Sequence, residues 1–114
     1  MDTIRAITRA RIHPGKAEAF TEIASACLAA TRRDPGTQSY EWYLNADRTE
    51  CLILEVYDDS NALLAHIGNL GDLLGRLMAL SDLAIEVCGD PSPELRQVGA
   101  SVGAKFYAYM QGLA

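Results

Sequence analysis

The chain has 114 residues, 49% of them apolar, and 10 Lys and Arg against 15 Asp and Glu, for a net charge of −5. That length supports one domain with a real core and not two, and that composition argues against disorder. Basic residues gather only at Arg5, Arg9 and Arg11 and at Arg32-Arg33, a solvated strand face and a helix C-terminus, so no nucleic-acid partner is expected.

Met1 to Arg5 alternates polar and apolar as a strand does, so no secretory segment is expected there. No apolar run reaches membrane-spanning length, and the expected setting is cytoplasmic, away from membranes. Cys27, Cys51 and Cys88 lack metal-like spacing and fall at positions expected to be buried, so they read as small core hydrophobes.

Thr3 to Ile12 alternates with period two and predicts a strand whose second face, Arg5, Arg9 and Arg11, is basic. His13-Pro14-Gly15 breaks it, and His13 reads as an exposed turn residue. Lys16 to Arg33 carries Phe20, Ile23, Ala24, Cys27, Leu28 and Thr31 on one helical stripe, and Asp34-Pro35-Gly36 stops it. Gln38 to Leu44 predicts a strand with Tyr40 and Trp42 on one face and Glu41 and Tyr43 on the other. Asn45 to Arg48 is a turn, with Asn45 its former. Cys51 to Tyr57 returns as a strand with apolar residues on both faces, so both faces need covering. A layer of helices covers one; a partner chain is the economical cover for the other.

Asp58-Asp59-Ser60 opens a second helix, Gly68 and Gly71 are its expected breaks, and Asp72 to Leu80 continues as a further helical segment. Ser81 to Gly89 predicts a fourth strand. After Asp90-Pro91, Ser92 caps a last helix with Pro93 in its first turn and an apolar stripe from Leu95 to Leu113. The order predicts an α+β fold: a ferredoxin-like β-α-β-β-α-β unit with a four-stranded antiparallel sheet, helices on one face and an extra C-terminal helix. Residues 1–91 form the domain; residues 92–114 form a helical extension packed on that domain or on a partner subunit.

Asp34-Pro35-Gly36 before Tyr40-Glu41, then Glu55-Val56-Tyr57-Asp58-Asp59, Ala62-Leu63 and His66, resembles the antibiotic biosynthesis monooxygenase family. Ile12-His13-Pro14-Gly15-Lys16, leading to Glu18 and Phe20, resembles its first strand-to-helix junction. The resemblance runs from about Ile4 to Val87 and implies a homodimeric α/β barrel, two protomers packed sheet on sheet. It also implies oxygenation of phenolic, quinol or polyketide-like substrates by molecular oxygen, with no metal and no cofactor. The haem-degrading branch of the family pairs a helical His with a Trp ending the third strand and an Asn in the first. Here Tyr57 stands in the Trp-like place and Thr3 to Ile12 holds no Asn, so haem degradation is not expected.

Such chemistry needs a group that moves a proton near neutral pH in a dry, aromatic pocket. His66 is the expected acid-base residue, its alternative being a packed imidazole. Tyr57 is expected to assist it by binding a substrate oxygen, and Tyr40 and Trp42 are expected to line the pocket and bind a small aromatic or quinol-like ligand. Glu41 and Glu55 lie on neighbouring strands and read as part of an ion network at the dimer interface in preference to a catalytic pair. The expected function is a cofactor-independent monooxygenase. The alternatives are a non-catalytic dimeric barrel for an aromatic or lipid-like ligand, and an isomerase or cyclase on the same scaffold.

Overall fold

In the computed structural model, which describes residues 2–113, the alternation of the first strand becomes two physical faces. β1 (Ile4–Ile12) buries Ile4, Ala6, Thr8, Ala10 and Ile12 and leaves Arg5, Arg9 and Arg11 exposed. It sits at the centre of a sheet ordered β2-β3-β1-β4-β5. β2 (Thr37–Leu44) pairs with β3 (Glu50–Tyr57), and β3 and β4 (Ser81–Cys88) flank β1, every one of these pairings antiparallel. Helices α1 (Ala17–Thr31), α2 (Ser60–Leu70) and α3 (Asp72–Leu80) cover the buried face.

Local chemistry sets the boundaries. The Asn45 side-chain oxygen accepts from the amides of Thr49 and Glu50, both at 2.9 Å, and closes the hairpin. Asp59 caps α2 by accepting from the Ala62 amide at 2.8 Å. Gly68 does not break that helix; Gly71, at φ 52°, does. Gly36 packs hard on α2: a Cβ there would stand 2.5 Å from the Cβ of Ala62. That contact holds the Asp34-Pro35-Gly36 turn against α2, the helix that carries His66.

The C-terminal segment departs from the expected long helix, and the sheet has five strands where four were expected. α4 (Pro93–Ser101) starts as the sequence predicts, with Ser92 accepting from the Leu95 amide at 3.2 Å. It ends at Ser101, Gly103 turns the chain at φ 72°, and β5 (Lys105–Tyr107) pairs with β4 in parallel. Phe106 explains the change. Its ring lies where a Cβ on Gly99 would sit, 2.5 Å away, so the last strand folds back onto α4 across a glycine. Leu95 is buried in the same core cluster as Ile4, Tyr57, Leu63 and Val87. Residues 108–113 carry no regular secondary structure, and Ala114 lies outside the described residues.

Two apolar clusters fill the space under the helices. Ile12, Phe20, Ile23, Cys27 and Leu77 anchor one; Ile4, Tyr57, Leu63 and Leu95 anchor the other. On the opposite sheet face Ile7, Leu52, Leu54 and Val56 are only half-buried. No helix is long and apolar enough to cross a membrane among the described residues.

Candidate active site

The register across the sheet places one lateral row under the helices. Tyr40 pairs with Glu55, Glu55 with Ala6, and Ala6 with Val87. Ala6 is small, and the adjacent inward residue of β1 is Thr8, so the centre of the sheet is thinly filled there. A cavity of about 120 Å³ lies above it, bounded by α2, α3 and α4. Its polar lining comes from Thr8, Tyr40, Glu55 and His66; the rest is almost wholly aliphatic.

His66 sits on the inward face of α2, one turn from Leu63 and Leu70, and its side chain is only 3% exposed. Its Nδ1 lies 2.8 Å from Oδ2 of Asp34, whose side chain is 6% exposed. A carboxylate only accepts, so the ring proton belongs on Nδ1 and the lone pair on Nε2. The Thr31 hydroxyl donates to the Cys27 carbonyl at 2.7 Å and leaves its oxygen 3.5 Å from the same Nδ1. Asp34 is itself held. Asn69 Nδ2 donates to its Oδ1 at 2.7 Å and the Thr37 hydroxyl to its Oδ2 at 3.3 Å. Burial lowers the His66 pKa, and the hydrogen bond and charge of Asp34 oppose that shift. A neutral, oriented imidazole therefore faces the cavity wall.

Glu55 is the second ionisable group. Its carboxylate accepts from the Thr8 hydroxyl at 3.0 Å and from the Tyr57 hydroxyl at 2.5 Å. Burial pushes its pKa up to about 7, against the pull of those two hydroxyls. Burial, and next the Glu55 charge, push the phenols of Tyr57 and Tyr40 above their usual range, so both stay protonated.

The four residues singled out from the sequence separate here. His66 and Tyr40 both line the cavity, with ring centroids 4.8 Å apart in an edge-to-face arrangement. Tyr57 is fully buried behind them, its ring centroid 5.3 Å from that of His66 and its hydroxyl committed to Glu55. Trp42 lies one inward position further along β2, edge-to-face with Tyr40 and packed on Phe20. It borders a separate hollow with Thr21, Ala24 and Leu44. Of the three aromatic residues expected at the pocket, Tyr40 lines it, and the rest of the lining beyond Thr8, Glu55 and His66 is almost wholly aliphatic.

The grouping of Glu41 with Glu55 in one interface network is corrected. Tyr40 pairs with Glu55 and Glu41 with Leu54, so the two carboxylates lie on opposite faces of the sheet. Glu41 is exposed and Glu55 is 8% exposed under the helices, held by hydroxyls and not by arginine. Sequence reasoning passed over Glu55 as a site residue although it shares the inward face with Ile53 and Tyr57. It also passed over Asp34, which reads as a helix stop. Among the described residues no three His, Cys, Asp or Glu side chains are grouped to hold a metal ion.

Comparison with known proteins agrees with this architecture. No curated protein matches the chain by sequence. Among solved structures, MupZ from Pseudomonas fluorescens superposes with a TM-score of 0.88 at 26% identity, over 100% of this chain and 95% of its own. That similarity therefore includes α4 and β5. SnoaB, a cofactor-independent oxygenase from Streptomyces nogalater, gives a TM-score of 0.69 at 20% identity over 81% of this chain and 96% of its own. Rv0793 from Mycobacterium tuberculosis gives 0.70 at 24% identity over 79% and 96%. These last two similarities speak to the fold alone. The model of the antibiotic biosynthesis monooxygenase family matches residues 3–69, from β1 through His66, and the chain belongs to that family.

Proposed function

We propose that this protein is a cofactor-independent monooxygenase acting on a small hydroxy-aromatic or quinol substrate. The observation that carries it is His66 at the wall of an apolar cavity, with its Nδ1 held 2.8 Å from Asp34 behind it. In the proposed reaction, Nε2 of His66 takes a proton from the substrate hydroxyl, and Asp34 stabilises the imidazolium through Nδ1. The electron-rich anion then reduces molecular oxygen. A ring C–H carbon ortho or para to the oxyanion becomes a carbonyl as the oxyanion itself does, giving a quinone. One oxygen atom is retained, and the other leaves as water with the ring hydrogen and the proton that His66 returns. The substrate supplies all four electrons, so no external reductant enters. The kinship with a family that contains a cofactor-independent oxygenase supports this reading.

The test is oxygen uptake with a panel of phenols, naphthols and quinols in metal-free buffer. His66→Ala should lower the rate by about 100-fold or more, within the range of a lost general base. If no compound consumes oxygen above background, the oxygenase proposal fails.

A second reading follows from Glu55. With a pKa near 7 it retains much of its proton at neutral pH and stands across the same cavity from a neutral histidine. An acid and a base in one apolar pocket suit an isomerisation or cyclisation that consumes no oxygen. Turnover under anaerobic conditions would select it.

We also propose that two copies pack through the open sheet face. Ile7, Leu52, Leu54 and Val56 form its half-buried apolar centre, rimmed by Arg5, Arg9, Arg11 and Glu41. Light scattering at micromolar concentration should return twice the mass of the 12.4 kDa chain. A monomeric mass would sink this proposal.

A further inference from the structure

The cavity is polar at one side and aliphatic at the other, and the two sides follow the strand order. Its polar groups stand on β2, β3 and β1 and on α2: Tyr40, Glu55, Thr8 and His66. Toward β4 and α4 its lining is Ile85, Val87, Leu95, Val98 and Val102, with no ionisable side chain. Burial runs the same way. Thr8, Glu55 and His66 are 6%, 8% and 2% exposed. Met78, Val98 and Val102, on α3 and at α4, are 43%, 37% and 39% exposed. These three exposed apolar residues belong to the cavity lining, so the pocket opens to solvent through an apolar mouth.

Size decides what fits. A dry cavity of about 150 Å³ accepts a benzene ring. The space here, about 120 Å³, holds one small ring at most and not a fused polycycle. A larger substrate must leave the rest of itself in the mouth, where only aliphatic surface meets it.

We infer that the substrate is a single-headed amphiphile: a hydroxyl-bearing head no larger than one ring, seated against Thr8, Glu55 and His66, with an aliphatic tail leaving past Val98, Val102 and Met78. The inference rests on the proposed site, and it narrows the substrate class from polyketide-like aromatics in general to alkyl-bearing ones. Thr8, Glu55 and His66 Nδ1 already have partners within the protein, and the hydroxyl of the head is the part of the ligand that matches this polar end of the cavity. The tail covers apolar surface that otherwise faces water. The α4–β5 segment supplies that exit. Gly99 and Ala104, both small, line it, with the Phe106 ring packed directly against Gly99 behind them.

The test is calorimetric titration under nitrogen with 4-alkylphenols from ethyl to hexyl, and with 9-phenanthrol as the fused-ring competitor. Each added methylene should tighten Kd by about two- to fourfold, the upper value being full burial of a CH₂. Phenanthrol should bind no more tightly than 4-ethylphenol. A Kd indifferent to chain length, or phenanthrol binding tighter than 4-hexylphenol, would overturn the proposal. Val98→Glu places a charge in the mouth at an exposed position that the fold tolerates. It should flatten the increment per methylene, and an increment left intact in that variant would equally overturn the proposed tail route. Because binding under nitrogen needs no turnover, the two proposals fail separately. A full increment without oxygen uptake supports the substrate class and removes only the oxygenase chemistry. Oxygen uptake with no increment removes only the substrate class.

Discussion

Asp34→Asn is expected to damage both the chemistry and the stability of this protein. Asp34 accepts hydrogen bonds from His66 Nδ1, Asn69 Nδ2 and the Thr37 hydroxyl. Asparagine has one acceptor oxygen, and its amide nitrogen would face a donor. At least one buried donor then loses its partner, at a cost of about 2–4 kcal/mol. For a domain of this size the melting temperature should fall by roughly 10 °C. The effect on His66 is more specific. Asp34 is the group that holds the imidazole pKa up against burial, so removing its charge lowers that pKa further and weakens the base. It also removes the acceptor that fixes the proton on Nδ1. Turnover with any substrate that His66 deprotonates should fall by about 100-fold or more, with KM changed much less. Nitrogen NMR of the ring reports the tautomer directly. Unchanged turnover with the Nδ1-protonated tautomer intact would show that Asp34 positions nothing.

Glu55→Gln carries the second large effect, and its sign depends on pH. A carboxyl group whose folded pKa is raised from 4.5 to about 7 contributes no penalty below pH 4.5. As pH rises from 4.5 to 7 the unfolded chain ionises this group and the native protein does not, so native stability falls. Above pH 7 the penalty is constant, at most about 3 kcal/mol for a shift of that size. Glutamine cannot ionise and keeps an oxygen for one of the two hydroxyls. Glu55→Gln should therefore gain stability relative to the parent as pH rises from 5 to 8, by about 1–3 kcal/mol. Urea midpoints at the two pH values measure it. His66 titrates in the opposite sense: its lowered pKa makes its contribution full above about 6.5 and lost as pH falls through 6.5 toward the folded value. That term is common to both proteins and cancels in the comparison. A stability gap that does not grow with pH would refute the raised pKa of Glu55.

The site also illustrates how hydroxyls substitute for a counter-charge. Sequence logic assigns a buried carboxylate an arginine, and Arg5, Arg9 and Arg11 are on the neighbouring strand. They occupy its odd positions, however, and those face away from the helices. Glu55 is left to Thr8 and Tyr57, which stabilise its charge only in part. The outcome is a group poised near neutral pH, where proton transfer is most useful.

Much of this was legible in the chain. Period-two alternation grouped Tyr40 with Trp42 on one face of β2 and Ile53, Glu55 and Tyr57 on one face of β3, and marked the basic face of β1. That the first two sets share the face under the helices came from the pairing register. The stop at Asp34-Pro35-Gly36, the Asp59 cap and the Ser92-Pro93 start are local chemistry, and they hold in the fold. So does His66 on the inward stripe of α2. Local rules reach that far because a strand face and a helix cap depend on residues within a few positions.

Tertiary structure decided what lies far apart in sequence. Asp34 and His66 meet where the turn packs against α2, with Gly36 on Ala62 and Asn69 bonded to Asp34. The separation of Glu41 from Glu55 depends on the pairing register of two strands, and a shift of one residue would have reversed it. Phe106 leaves its helical stripe because packing on Gly99 and pairing with β4 offer more burial than another turn of an exposed helix. The aliphatic mouth exists only where α3, α4 and β4 converge. The sequence by itself determined the faces and the caps, where each choice is local. The dyad, the poised carboxyl and the cavity were decided by long-range packing, because each needs two elements held at one distance.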